Sequence, residues 1–332
     1  MGRSIRTGLA AVWLGLLLAF PALAAEPAAL VPVGRTVGLE LEADGVYVVK
    51  LETEDCSSPA EAAGLRAGDR ILAVDGQALD KAESLRQRVE QSGGARLVLE
   101  LDRAGRQMQV AVQPERRAEG WRLGLCVRDR IAGLGTVTFY DPETGLFGAL
   151  GHGVNGSEGC PMVIRGGQAS ETAVTEVRRG QAGTPGSLFG RPTGGAPVGR
   201  VERNTEQGLF GHGTEAALGG EPVPLADQAE LQTGPAEILC SVEGQAVERY
   251  AVEIEAVRRD PARCRDLRLV VTDPRLLAKT GGIVQGMSGS PILQNGKLVG
   301  AVTHVLVRDP TRGYGILIGH MLEAASKEAE AA

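Results

Sequence analysis

Glycine is the feature that most restricts the folds open to this sequence. It accounts for 47 of the 332 residues, about twice its usual share, while aromatic residues make up only 3%. Glycine weakens helices and permits the backbone conformations that tight turns require. The composition therefore favours many short strands joined by turns over a helical bundle, and the predicted fold class is mainly β.

Two hairpin signals flank the residues of greatest chemical interest. The stretch "GTVTFYDPETGLFGAL" (135–150) predicts two strands joined by a turn at 141–145, and it leads directly to His152. The stretch "PILQNGKLVGAV" (291–302) contains Asn-Gly, the dipeptide that most favours a two-residue hairpin turn. This second hairpin begins immediately after the segment that contains Ser288 and Ser290. Both hairpins predict functional side chains at strand ends.

An earlier unit, residues 36–115, has a different pattern. "GVYVVKLE" alternates like a strand, and "SPAEAAGLRAGDRILAVDG" predicts a short helix and a strand bounded by turns. An amphipathic helix follows, and residues 95–113 predict a closing hairpin. The apolar face of that amphipathic helix carries Ala82, Leu85 and Val89.

The N-terminus predicts export. Arg3 and Arg6 precede an apolar run, and "ALAA" (22–25) fits a signal-peptidase site. Residues 1–24 are predicted to be a signal peptide, with an uncleaved anchor as the alternative. Residues 25–35 are predicted to be a linker, and 326–332 a tail after a C-terminal helix.

Charge and cysteine spacing exclude several classes of protein. The net charge is −6 without a basic block, which argues against a nucleic-acid partner. The five cysteines show no paired spacing, and no cysteine–histidine cluster has the spacing of a zinc site. Buried free thiols are expected, and neither a metal nor another cofactor is predicted.

The segment "GMSGSP" (286–291) distinguishes its two serines. Pro291 restricts Ser290 to an extended conformation, so Ser290 is expected to enter the next strand as a structural residue. Ser288 lies in a glycine-rich turn, where its hydroxyl can serve as a nucleophile. The backbone N–H groups of Gly286 and Ser288 are the candidate oxyanion hole.

A serine nucleophile needs a base, and the chain has four histidines. His152 and His212 each lie between two glycines, so either is a candidate from the residues alone. His304 lies within a strand pattern, where a structural role is expected, and His320 lies near the C-terminal helix. For the acid that orients the base, Asp273 is a candidate, but Asp273-Pro274 also predicts a helix N-cap.

These segments resemble known protein families. The "SPAEAAGLRAGDRILAVDG" stretch is similar to PDZ domains of bacterial proteases, and "QGMSGSPILQNGKLVGAVTH" resembles the nucleophile segment of chymotrypsin-like serine proteases. With "TFYDPETGLFGALGHG", the whole resembles the SpoIVB peptidases, the stage IV sporulation signalling serine proteases of endospore-forming bacteria. The resemblance implies a PDZ domain at 36–115 and a double β-barrel peptidase domain at 116–325.

The resemblance also implies roles for individual residues. His152 would be the base, Asp273 the acid and Ser288 the nucleophile. In the PDZ domain, a peptide would add as a strand beside the helix that carries Ala82, Leu85 and Val89. The carboxylate-binding loop would be formed by Gly38, Leu39, Glu40 and Leu41, although Glu40 replaces the usual hydrophobic residue.

The implied function is that of a secreted, self-cleaving serine endopeptidase. By resemblance, it would act in the intermembrane space of the developing spore on a membrane-anchored regulator of an intramembrane metalloprotease, and so activate a sigma factor. Its other partners would be a copy of itself, as substrate, and a peptide ligand of the PDZ domain. Two alternatives remain: a PDZ-containing scaffold without turnover, and a general envelope quality-control protease.

Overall fold

The computed structural model describes residues 29–52, 58–156, 159–258 and 264–327. The predicted signal peptide at 1–24 lies outside these residues, as do Cys56 and the end of the predicted tail. Two β-barrels and one PDZ-like unit make up the described part of the chain. No helix among the described residues is long and apolar enough to cross a membrane.

The first barrel is closed by six antiparallel strands, because the first and last of them also pair with each other. Its core is formed by alternating inward side chains such as Val37, Leu39 and Leu41. The strands, in the order of pairing, are β9 (Leu125–Tyr140), β10 (Leu146–Ala149), β13 (Gly208–Gly213), β12 (Ser187–Thr205), β11 (Ile164–Arg178) and β2 (Thr36–Leu51).

The PDZ-like unit follows the predicted order of elements. The turn between its first two strands has Asp75 and Gly76 at φ 50° and 74°, the left-handed values of a two-residue hairpin turn. Its elements are α1 (Pro59–Ala62), β3 (Arg70–Val74), β4 (Gln77–Ala78), α2 (Ala82–Gln91), β5 (Leu97–Arg103) and β6 (Arg106–Val112).

Two long strands, β2 and β9, join the PDZ-like unit to the first barrel. They pair at 36–42 with 130–136 inside the barrel, and again at 47–51 with 125–128 beside the PDZ-like unit, with a bulge between the two ladders. Gly45, at φ 90°, lies in that bulge. The two units therefore share a continuous pair of strands instead of a flexible linker.

The second barrel is also closed. Its strands, in the order of pairing, are β15 (Gly234–Cys240), β16 (Glu248–Val257), β17 (Leu267–Val271), β20 (Arg312–Leu317), β19 (Lys297–Val305) and β18 (Pro291–Gln294). The turn between β18 and β19 is the predicted Asn295-Gly296, at φ 53° and 76°. Helices α4 (Pro274–Thr280) and α5 (Ile318–Ser326) follow β17 and β20.

Short elements complete the described chain. They are β1 (Ala29–Pro32), the two-stranded sheet of β7 (Glu115–Arg117) and β8 (Gly120–Arg122), the turn of helix α3 (Glu215–Leu218) and β14 (Val223–Pro224). The predicted linker at 25–35 is wrong over its second half, because β1 pairs with both β9 and β14 and buries Leu30 completely.

Two other expectations differ from the structure. The boundary predicted at residue 36 falls at the start of β2, so residues 36–42 belong to the first barrel. The cysteines were expected to be buried, but Cys126 and Cys160 are exposed. Cys126 is exposed because it alternates along β9 with the inward-facing Leu125 and Val127.

Candidate active site

The turn that carries Ser288 is fastened to the first barrel through its carbonyl groups. Thr136 donates from its hydroxyl to the carbonyl of Gly286 (2.8 Å) and from its backbone N–H to that of Ser288 (2.9 Å). Thr138 donates to the carbonyl of Gly289 (2.8 Å). A Cβ atom on Gly289 would lie 1.9 Å from the carbonyl oxygen of Thr136, so only glycine fits there. The glycine that follows Ser288 is therefore needed for close packing against β9.

The same turn leaves its candidate oxyanion donors unused. Within the described part of the chain, the N–H groups of Gly286 and Ser288 make no hydrogen bond, whereas those of Met287 and Gly289 donate to Val284 and Val302. Gly286 has φ 101°, a conformation that favours glycine. Two free donors, the N–H of Gly286 and that of Ser288 itself, are what stabilisation of an oxyanion requires.

The two serines differ in environment as expected. Ser290 is fully buried, and its hydroxyl donates to the carbonyl of Met287 (2.7 Å). Ser288 is half-buried, and its hydroxyl donates to the carbonyl of Thr303 (2.8 Å). Ser288 lines a cavity between the two barrels that does not include Ser290, so Ser290 has a structural position and Ser288 an accessible one.

His152 reaches the same cavity from the other barrel. It follows β10 through a turn in which Leu150 and Gly151 both have φ 68°, a strained value for leucine. Its Nδ1 atom lies 2.9 Å from the carbonyl oxygen of Gly153, which fixes the ring with Nδ1 as donor. Burial lowers the pKa of His152, and the Gly153 carbonyl offsets part of that change. The imidazole is therefore held neutral, as a general base must be.

The cavity between the barrels has a volume of about 540 Å³. Ser288 and His152 both line it. Most of its other walls are apolar side chains of the two barrels, including Leu39, Leu41, Leu134, Ile283, Val284 and Val305. A site that is largely apolar, with a few polar groups, is typical of a substrate-binding cleft.

His304 is a cavity residue that the sequence did not reveal. It lies near the end of β19, and its ring centroid is 4.9 Å from that of His152 at an interplanar angle of 37°. A strand-face role was expected because its neighbours alternate like a strand. The available signal was its place on β19, the second strand of the hairpin that follows the Ser288 turn.

The other two histidines lie elsewhere. His212 is exposed on β13 and its Nδ1 lies 2.9 Å from Glu202, in a separate groove with Arg130 and Arg200. His320 bonds the buried carboxylate of Asp266 through Nδ1 at 2.8 Å. Neither lines the cavity of Ser288, so His152 is the histidine of the two G-H-G segments that fits the role of base.

Asp273 caps a helix in this structure. Its carboxylate accepts hydrogen bonds from the backbone N–H groups of Arg275 (2.8 Å) and Leu276 (3.4 Å), the first turn of α4, and from that of Ala251 (3.2 Å). The Arg275 side chain adds an ion pair at 3.0 Å. These donors hold the pKa of Asp273 at about 2. Asp273 does not line the cavity, and the structure gives it the capping role that Asp273-Pro274 also predicted.

No other aspartate among the described residues replaces it. Asp266 accepts from His320 and from the backbone of Leu317, and Asp227 lies in an exposed turn. Asp260 lies outside the described residues. The described partner of the His152 ring is therefore a backbone carbonyl and not a carboxylate.

The residues predicted for the PDZ carboxylate-binding loop do not form one. Gly38, Leu39, Glu40 and Leu41 pair with β9 on one side and with β11 on the other, within the first barrel. Leu39 and Leu41 face its core, and Glu40 faces outward to form an ion pair with Arg130 (3.1 Å). The prediction failed because this alternation serves a barrel strand equally well.

The helix predicted to bind a peptide already has a strand beside it. Residues 125–128 of β9 pair antiparallel with β2 next to α2, which is how a PDZ domain takes an extended peptide. Leu125 and Val127 pack on the cluster that contains Leu85 and Val89, with Ala82 at its margin. The Asp129 carboxylate accepts from the Ala82 N–H at 3.0 Å. The chain thus fills this groove with its own strand.

A cavity of about 410 Å³ remains between α2 and the strands β8 and β9. Ala82, Leu85 and Val89 line it together with Trp121 and Val127. The described residues hold no group of three or more histidine, cysteine or acidic side chains arranged for a metal ion.

Two closed barrels that meet at a serine and a histidine, with a PDZ domain joined to the first barrel, are the architecture of a chymotrypsin-like serine peptidase with a PDZ module. The family model described as SpoIVB peptidase S55 matches residues 119–322, and a PDZ-domain model matches residues 57–103. The first match covers more than half of the chain. The chain therefore belongs to the SpoIVB peptidase S55 family and is a serine peptidase.

One solved structure with a similar segment is the PDZ domain of the SdrC-like protein from Listeria monocytogenes. It is 22% identical, and the match covers 26% of this chain and 90% of that one, with a TM-score of 0.23. No curated protein matches the chain.

Proposed function

We propose that the chain is an endopeptidase in which Ser288 attacks the peptide carbonyl and His152 takes the proton of its hydroxyl. His152 then returns this proton to the leaving amine, and the N–H groups of Gly286 and Ser288 hold the oxyanion. The observation that carries the proposal is the cavity itself, because it brings Ser288 of the second barrel together with His152 of the first.

The starting geometry requires one local change. In this structure the Ser288 hydroxyl donates to the carbonyl of Thr303. In the proposed reaction the Ser288 side chain rotates to direct its proton to His152, whose Nε2 is the acceptor because Nδ1 donates to Gly153. Catalytic hydrogen bonds often tighten only when substrate is bound.

The proposed substrates follow from the family. Membership of the SpoIVB peptidase S55 family supports self-cleavage and cleavage of a membrane-anchored regulator of an intramembrane metalloprotease, within a sporulation signal that activates a sigma factor. The basic and apolar N-terminus supports export across the cytoplasmic membrane, to the space around the developing spore. A membrane-held regulator in that space would be accessible to the exported chain.

Self-cleavage gives the direct test. The purified chain is incubated alone, and fragments are followed by mass spectrometry for the wild type and for Ser288→Ala, His152→Ala and His212→Ala. We expect fragments from the wild type and from His212→Ala, and none from the other two. Loss of fragments in His212→Ala alone would show that the other G-H-G segment supplies the base.

A second incubation tests the proposed target. The candidate regulator, held in lipid vesicles, is mixed with wild-type chain or with Ser288→Ala, and its own fragments are measured. Cleavage by the wild type alone supports the signalling role. Self-cleavage without cleavage of the regulator would leave the peptidase in place and refute this target.

A further inference from the structure

His304 shares the cavity with the two proposed catalytic side chains and touches one of them. Its ring lies 4.9 Å from that of His152, centroid to centroid, in a tilted stack. The residue before it, Thr303, accepts the hydrogen bond of the Ser288 hydroxyl and is itself held by a bond from its own hydroxyl to the Cys264 carbonyl (2.7 Å). The end of β19 therefore contacts both halves of the site.

The His304 ring is held neutral. Its Nδ1 atom is buried and has no hydrogen-bond partner in the described part of the protein. Burial is the main cause that lowers the pKa of His304 to about 4, and the nearby His152 and Arg265 lower it further. Arg265, which is charged, and His152, which can become charged, are the groups that act on His304 among the described residues, and neither is a carboxylate. Arg265 is exposed and stacks on Tyr314 of β20.

A neutral ring against the base has a chemical consequence. When His152 takes the Ser288 proton, it becomes a cation inside an apolar cavity, and none of the described residues lines this cavity with a carboxylate. The face of an aromatic ring attracts a cation that lies within about 6 Å of its centroid. The observed 4.9 Å falls inside this range, and a protonated His304 would instead repel the cation.

We infer that His304 is a positioning residue for His152, whose neutral ring holds the imidazole in the cavity and stabilises the imidazolium formed during proton transfer. His304 exchanges no proton in this scheme, since the proton moves from the Ser288 oxygen to His152 and from there to the leaving amine. The inference rests on the proposed function, because it assigns His304 a role in that same reaction.

Substitutions that keep or remove the ring test this inference. His304→Phe keeps an aromatic face but has no titratable nitrogen. His304→Leu is a matched apolar side chain that has no aromatic ring. His304→Gln is a second variant without a ring, in case the leucine variant does not fold. Each variant is checked for its melting temperature and is then labelled with a serine-reactive fluorophosphonate over a range of pH.

The maximal labelling rate at saturating probe and its pH dependence give the result. We expect His304→Phe to stay within about threefold of wild type and the ringless variants to fall by about 3- to 30-fold, the range of one cation–π contact. The pKa of His152 in the pH–rate profile should be lower in the ringless variants than in His304→Phe, because the cation has lost its stabilising face.

Equal rates and equal pKa values in His304→Phe and in the ringless variants would overturn the inference. A slower rate with an unchanged pKa would also overturn it, since that is the result of a role in packing alone. Neither result touches the proposed function, which fails separately if Ser288→Ala is labelled as fast as the wild type.

Discussion

Asp273 is the residue whose role can be tested most sharply. A helix cap and a catalytic acid respond differently to the same substitutions. Asp273→Ala removes both the carboxylate and the side-chain cap of α4. Asp273→Asn removes the charge but keeps an oxygen that accepts from the N–H groups of Arg275 and Leu276, since asparagine is as good an N-cap as aspartate.

The size of the effect follows from the pKa of Asp273. The pKa is lowered from 3.8 to about 2 by the Arg275 side chain and by the backbone donors of Ala251, Arg275 and Leu276. That shift corresponds to at most about 2 kcal/mol of stability. The Asp273 side chain is only 9% exposed, but Arg275 is 60% exposed, so solvent screening reduces this value. Both variants lose this charge contribution, so we expect Asp273→Asn to cost about 1 kcal/mol and Asp273→Ala, which also loses the side-chain cap, to cost about 2 kcal/mol.

The lowered pKa also determines how the stabilising contribution of Asp273 changes with pH. Because folding lowers the pKa of this carboxyl, its contribution is present above about pH 4 and is lost as pH falls toward 2. Urea unfolding of the wild type and both variants at pH 7 and pH 3 measures it, and the difference between wild type and Asp273→Ala should shrink at pH 3.

Activity decides between the two roles. The fluorophosphonate labelling rate is measured at a temperature where all three proteins are folded. A cap outside the cavity predicts rates within about threefold of wild type for both variants. If Asp273→Asn is stable yet loses the rate by a hundredfold or more, the carboxylate acts in the site, and the placement of Asp273 as a cap alone is refuted.

Three further predictions rest on local contacts. Because burial lowers the pKa of His152, the acid limb of the labelling rate should have its midpoint below pH 6.5, and a midpoint above 7 would contradict this. Gly289→Ala should destabilise by about 2–5 kcal/mol, because its Cβ would overlap a carbonyl of β9 at a left-handed φ, whereas Gly296→Ala, with open space around it, should cost about 1 kcal/mol in the same urea assay. Val127→Ala should cost about 1–2 kcal/mol, because Val127 packs in the PDZ groove. Its exposed neighbour on the same strand, changed as Cys126→Ser, should stay within about 0.5 kcal/mol, and equal costs for these two would show that β9 does not fill the groove.

Local signals predicted most of the fold. The Asn295-Gly296 turn, the order of elements from α1 to β6 and the hairpin that leads to His152 all depend on residues close together in sequence, and the structure has them. The same holds for the separation of Ser288 from Ser290, because Pro291 fixes the local backbone.

Three features could not be predicted from the sequence, because they depend on contacts between strands that are distant along the chain. Alternation in β2 is compatible with a PDZ loop or a barrel strand, and only its pairing with β9 and β11 decides between them. Likewise, nothing near residue 125 indicates that β9 lies beside α2. His304 escaped notice because its contact with His152 spans two barrels.

The central claim is that Ser288, and not Ser290, is the nucleophile. Labelling by a fluorescent fluorophosphonate, with the modified peptide identified by mass spectrometry, tests it most directly. We expect the label on Ser288, lost in Ser288→Ala and kept in any Ser290→Ala protein that remains folded. Labelling that persists in Ser288→Ala at the wild-type rate would contradict the account.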